Sequence, residues 1–248
     1  GGELHQYRLA LMAYAGLEQK LEGIKTEEAR LAEQYKAIIL DAWTAQDKIN
    51  ELTGYDGVLV PGGFGETGIE GKIAAIKFAR ENKIPYFGLC YGMQLMTVEY
   101  ARNVVGLSDA NTTEINKDTP HPIIAILPEQ VEKLAKKDYG GSMRLGAQDC
   151  DLADGTIARE AYGEKTISER HRHRFEVNPE YVDQLKGAGL VFSGINPDNH
   201  LMEIAELPRD VHPFMVGTQF HPELKARPLA PHPLFNAFIK AAIDHRDR

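Results

Sequence analysis

Three short apolar runs constrain this chain more than anything else in it: Ala37-Ile38-Ile39-Leu40, Gly57-Val58-Leu59-Val60 and residues 84–89. Each is brief and uniformly apolar, as a strand covered on both faces would be, rather than alternating like a strand with one wet side. A polar stretch of helical character separates the first two, and residues 69–80, also helical in pattern, separate the second from the third. Residues 92–105 follow, with Met93, Met96, Tyr100 and Val104 spaced to share one face of an amphipathic helix. Strand, helix and strand in alternation predict a parallel sheet flanked by helices.

Beyond Pro120 the rhythm changes. Residues 123–127, 144–147 and 190–193 are shorter apolar runs divided by Gly, Pro, Asp and Asn, which predicts antiparallel strands and long loops attached to the same core. Residues 214–220 read as a strand and 233–243 as a closing amphipathic helix. At the other end, Tyr7, Leu11, Tyr14, Leu17 and Leu21 fall at helical spacing, followed by a charged, solvated stretch at 25–34. With 248 residues and 43% hydrophobic content, one α/β domain over 1–248 is the expected organisation. A net charge of −8, from 28 basic and 36 acidic residues, argues against a nucleic-acid partner, which needs a basic face. No apolar run nears the roughly 18 residues of a membrane span, and no basic-then-apolar leader opens the chain. A cytoplasmic protein without a membrane partner is expected. The two cysteines, Cys90 and Cys150, stand in unlike surroundings, which fits free thiols in a reducing compartment better than a disulfide.

Gly88-Leu89-Cys90-Tyr91-Gly92 sets Cys90 between two glycines where the third apolar run gives way to a helix. A nucleophile on so tight a strand-to-helix turn sits in a strained backbone, and the glycines leave room for close backbone approach. The helix N-terminus adds free N–H groups and the positive end of the dipole, which favour thiolate and can bind a developing oxyanion. Cys90 is therefore the candidate nucleophile. Cys150, in Gln148-Asp149-Cys150-Asp151, has no such setting and reads as packed or half exposed.

A thiol nucleophile needs a base, and the base needs a third group to fix its tautomer. Phe220-His221-Pro222-Glu223, directly after the last strand, offers both: Glu223 can reach one imidazole nitrogen of His221 while the other faces Cys90. A second histidine-bearing segment, Glu169-Arg170-His171-Arg172-His173-Arg174, is a poor metal site. Its alternating arginines would put cations beside the ion, and nothing completes a ligand set at useful spacing. Two readings of it stay open, a solvated basic strand or a carboxylate clamp made by one or two of the arginines.

Together, Pro61-Gly62-Gly63-Phe64-Gly65, Gly88-Leu89-Cys90-Tyr91-Gly92-Met93-Gln94 and Gln219-Phe220-His221-Pro222-Glu223 resemble the three signatures of class I glutamine amidotransferases. Further stretches narrow the resemblance to the glutaminase domains of CTP synthases: Phe78-Ala79-Arg80-Glu81-Asn82, Tyr100-Ala101-Arg102-Asn103-Val104 with Ala110-Asn111-Thr112-Thr113-Glu114, Gly140-Gly141-Ser142-Met143-Arg144-Leu145-Gly146, and residues 169–178. The likeness runs from about residue 52 to the C-terminus. It implies a flavodoxin-like α/β fold, mostly parallel, with a small antiparallel extension. It also implies hydrolysis of L-glutamine to glutamate and ammonia through a γ-glutamyl thioester on Cys90. His221 would shuttle protons, Glu223 would orient it, and backbone N–H groups of Gly63 and Tyr91 would form the oxyanion hole. Gln94, Glu114 and Arg174 match positions that hold the glutamine, with Glu114 suited to its ammonium and Arg174 to its carboxylate. Phe64 is implied to lie near a GTP effector.

The same resemblance implies no cofactor in this domain. ATP, Mg and UTP would belong to an amidoligase (synthetase) domain that uses the ammonia to make CTP, and the full-length enzyme would be a homo-oligomer. These 248 residues contain no amidoligase sequence, residues 1–36 are atypical, and the apolar strand expected before the first helix is missing. Tyr91 stands where the family usually has Leu, and Met93 where related amidotransferases commonly have His. A stand-alone γ-glutamyl hydrolase, an amidotransferase subunit of another synthetase, and a regulatory module with little activity of its own stay open beside the CTP synthase reading.

Overall fold

A computed structural model describes residues 37–39, 46–126 and 143–248. The expected N-terminal helix, the charged stretch after it, the question of a missing first strand and residues 140–142 of the glycine-rich motif lie outside the described residues. The three apolar runs form strands β1 (Ala37–Ile39), β2 (Gly57–Val60) and β3 (Tyr86–Leu89), paired in parallel in that order. Val58, Val60, Tyr86 and Phe87 are fully buried, as strands covered on both faces require. From the 214–220 run, β11 (Met215–Thr218) joins the free side of β3, also in parallel, and sets Thr218 beside Leu89.

Of the runs expected beyond Pro120 to give antiparallel strands, those at 144–147 and 190–193 extend this same sheet, whereas the one at 123–127 falls in a separate, smaller sheet. β10 (Met202–Glu206) pairs with β11, and β9 (Val191–Ile195), β6 (Arg144–Leu152) and β7 (Thr166–His173) follow, giving the order β1-β2-β3-β11-β10-β9-β6-β7. A smaller sheet holds β4 (Ala110–Thr112), β5 (His121–Ala125) and β8 (Glu176–Val177), parallel between the first two and antiparallel between the last two. Because side chains alternate along a strand, the large sheet feeds two separate apolar clusters. Tyr86 and Met215 join one with α1 (Ile69–Glu81) and α2 (Tyr91–Tyr100), and Phe87 and Val216 join the other with α5 (Pro233–Arg246). Two shorter helices, α3 (Ile157–Tyr162) and α4 (Pro179–Gly187), complete the described α-helices, and the polar stretch between β1 and β2 forms a 3-10 helix over Gln46–Gly54. Among the described residues no helix is long and apolar enough to cross a membrane.

The segment at 92–105 corrects the expectation of one amphipathic helix. Every residue of α2 is buried, because the helix packs against α1, β3, β11 and both β4 and β5 of the small sheet, so it has no solvated face. Residues Ala101–Val105 then form a π turn. The wider turn rotates the chain off the Met93, Met96 and Tyr100 face, and Val104 emerges exposed while those three stay buried.

Candidate active site

Cys90 has φ 47° and ψ −95°, outside the ordinary helical and extended regions, at the turn from β3 into α2. Its N–H donates to the Thr218 carbonyl at 2.6 Å, which ties the turn to β11. The flanking glycines answer to close approach, as the sequence predicts. A Cβ on Gly88 would stand 2.6 Å from the Gly92 carbonyl carbon, and one on Gly92 would collide with the Val60 carbonyl oxygen.

The expected bias toward thiolate is not what the site provides at rest. Burial, followed by the Glu176 and Glu223 carboxylates, pushes the Cys90 thiol up to about 12, against an opposing hydrogen bond from the Tyr91 N–H. Helix-terminus reasoning missed this because the burial of the turn, and Glu176 arriving from β8, are set by parts of the chain far away in sequence. The resting sulfur keeps its proton, so attack requires a base that removes it as the new bond forms.

His221 follows β11 and is fixed by its own N–H, which donates to the Arg170 carbonyl of β7 at 2.8 Å. Its Nδ1 lies 2.6 Å from Glu223 Oε1. A carboxylate only accepts, so Nδ1 carries the proton and Nε2 presents a lone pair. Nε2 is buried and has no hydrogen-bond partner among the described residues. His221 and Cys90 line the same cleft of about 430 Å³. Both sit against Gly62, where a Cβ would come 2.8 Å from His221 Cε1 and 3.8 Å from Cys90 Cβ. Nucleophile and base therefore meet at the C-terminal ends of two adjacent parallel strands, the usual place for a site in an open α/β sheet.

Gly63, Phe64, Gln94, Glu114 and Arg174 line this cleft too. Phe64 is 87% exposed. Glu114 accepts the Gly65 N–H at 3.0 Å; burial raises its carboxyl, while that hydrogen bond and Arg174 pull it down. Gln94 is already committed, donating Nε2 to the Phe175 carbonyl at 3.0 Å and to Gln219 Oε1 at 3.3 Å. Two predicted site residues do not line the cleft: Glu223 stands behind His221, and the Tyr91 side chain turns under the glycine loop and donates to the Gly65 carbonyl. Gln219 had no role in the sequence reading, yet it donates Nε2 to Cys90 Sγ at 3.7 Å. Its amide is fully buried, but nothing in its immediate neighbours marks it in the sequence.

The Glu169-to-Arg174 segment is not uniformly solvated. Along β7, Ile167, Glu169, His171 and His173 turn inward and Arg170 and Arg172 outward. Arg172 and Arg174 both line the cleft, where a carboxylate clamp would have to be. Inward, His171 Nδ1 and His173 Nε2 lie 2.8 Å apart, beside an Arg144 that reaches Glu203 at 2.6 Å and Glu176 at 3.3 Å. Burial takes His171 down to about 3 and His173 well below its ordinary value, and takes Glu176 up to about 8 despite Arg144. Among the described residues, no three His, Cys, Asp or Glu side chains gather into a metal site. Cys150 is fully buried, and a Cβ on Gly194 would stand 2.7 Å from its sulfur.

This chain belongs to the class I glutamine amidotransferases, a family that matches residues 25–241. Within that family its likeness is to CTP synthases. It is 48% identical over 247 residues to the CTP synthase of Caldanaerobacter subterraneus subsp. tengcongensis, covering 97% of this chain and 45% of that protein. It is 55% identical over 203 residues to the CTP synthase of Leifsonia xyli subsp. xyli, covering 82% of this chain and 36% of that protein. The chain thus spans less than half the length of these curated relatives. The structure of the Trypanosoma brucei CTPS glutaminase domain with bound acivicin matches with a TM-score of 0.76 at 36% identity, over 94% of this chain and 88% of that one.

Proposed function

We propose that this chain hydrolyses glutamine to glutamate and ammonia, and that the ammonia serves amination of UTP to CTP in an ATP-dependent synthetase domain. One observation carries the hydrolytic part: a buried thiol shares a cleft with a histidine whose Nδ1 is held by a carboxylate and whose Nε2 has no partner among the described residues. The use of the ammonia rests on the likeness to CTP synthases. ATP, Mg and UTP would be bound by the synthetase domain, and Phe64 at the cleft would lie near a GTP effector.

Glutamine enters with its ammonium toward Glu114 and its carboxylate toward Arg174. Cys90 Sγ attacks the amide carbon as His221 Nε2 takes the thiol proton, and Glu223 stabilises the imidazolium that results. Negative charge builds on the amide oxygen, which the Gly63 and Tyr91 N–H groups receive. His221 returns the proton to the departing nitrogen, ammonia leaves, and the γ-glutamyl thioester remains. Water, deprotonated by His221, then attacks the thioester, releasing glutamate and restoring the thiol. Cys90→Ala protein is expected to release no glutamate from glutamine, and release at the parent rate would refute the mechanism. Assaying γ-glutamyl amines alongside glutamine tests the substrate: hydrolysis of the amines in preference to glutamine contradicts the amidotransferase reading.

A further inference from the structure

We propose that the Tyr91 side chain is a positioning residue for the oxyanion hole, its hydroxyl latching the Gly62-to-Gly65 loop against the nucleophile elbow. The inference rests on the glutaminase reading above and deepens it.

Tyr91 directly follows Cys90, and its side chain is almost wholly buried. Its hydroxyl donates to the Gly65 carbonyl at 2.6 Å, and the Gly65 N–H donates to Glu114 at 3.0 Å. Both backbone groups of one loop residue are therefore committed, one to the elbow and the other to the carboxylate assigned to the substrate ammonium. The ring lies under the same loop, since a Cβ on Gly63 would stand 3.4 Å from Tyr91 Cδ1. Lys72 of α1 places its Nζ 5.7 Å from the ring centroid and donates to the Thr67 carbonyl at 3.3 Å, at the loop's far end. Burial, followed by Glu114, raises the phenol, so the hydroxyl stays a donor.

Gly65 adopts φ 77° with open space around it, and the Phe64 side chain is turned to solvent. Pro-Gly-Gly-Phe-Gly is a permissive backbone, and a donor N–H stabilises an oxyanion only if it is held in place before the charge develops. A leucine in place of Tyr91 could cover Gly63 but could not donate to Gly65.

The test uses the full chain with Tyr91→Phe, which keeps the ring and removes the hydroxyl, and with Tyr91→Leu as a second variant should the first fail to fold. Two rates are read: glutamine hydrolysis, and alkylation of Cys90 by iodoacetamide, which reacts at a saturated carbon and needs no oxyanion hole. We expect kcat to fall about tenfold, the size of one net hydrogen bond, with KM changed less than about twofold and alkylation unchanged. A kcat within about twofold of the parent, a loss confined to KM, or an equal fall in alkylation overturns the latch. A parent that releases no glutamate sinks the glutaminase reading and the latch with it, whereas a parent that turns over and a variant that matches it sink the latch alone.

Discussion

Glu223 stands partly in solvent, with 44% of its side chain exposed, yet its bond to His221 Nδ1 decides which imidazole nitrogen is left with a lone pair to offer. Glu223→Gln keeps an acceptor for Nδ1–H but loses the charge that steadies an imidazolium. We expect kcat to fall about a hundredfold, the low end of general acid–base effects, with KM little changed, as steady-state kinetics would report. The same substitution should ease ionisation of Cys90, because Glu223 is one of the carboxylates that raises it. The pH profile of iodoacetamide alkylation would then shift toward lower pH, and a shift toward higher pH would contradict this electrostatic account. The spatial grouping of Cys90, His221 and Glu223 was legible in the sequence because each is marked by immediate neighbours. Gln219 was not, because its part depends on reaching a sulfur 129 residues away.

The elbow works as a unit of backbone rather than of side chains. Gly92→Ala would drive a methyl group into the Val60 carbonyl, and neither the strand nor the helix can yield cheaply. Overpacking of this kind costs about 1–3 kcal/mol, which lowers the melting temperature of a domain this size by about 2–4 °C per kcal/mol. Calorimetry checks this, and an unchanged melting temperature would mean that the close approach is not constraining. Strand positions were readable here because burial on both faces leaves an unbroken apolar run, as in β2 and β3. The environment of α2 was not, because its outer face is covered by β4 and β5, and no local period announces a second sheet. The π turn was equally hidden, since Val104 carries the spacing of the inner face and only the extra residue in the turn moves it outward.

At the scale of the whole fold, the two sheets are joined by a buried polar cluster. Glu176 belongs to the small sheet and Arg144, His171, His173 and Glu203 to the large one, and the group is almost wholly buried. Glu176 has a folded value near 8 against an ordinary 4.5, so its contribution to stability falls as pH rises through that window. His171 runs the other way: held near 3 against an ordinary 6.5, it costs stability as pH falls below 6.5. Between 4.5 and 6.5 the two slopes oppose each other, and above 6.5 only the Glu176 slope remains. We expect the urea midpoint of the parent to drop from near pH 6 to near pH 8 and that drop to shrink in Glu176→Gln, in which Arg144 still has Glu203. An equal drop in both proteins would contradict the assignment.

The order of strands in the large sheet also bears on how the chain is made. β11 lies between β3 and β10, so the strand that brings the base is inserted into the middle of a sheet whose other members precede it in sequence. A ribosome therefore exposes Cys90 long before His221 exists, and the half-made chain holds a buried-type thiol with nothing to take its proton. On the proposed mechanism, ammonia release must wait for the final stretch of synthesis.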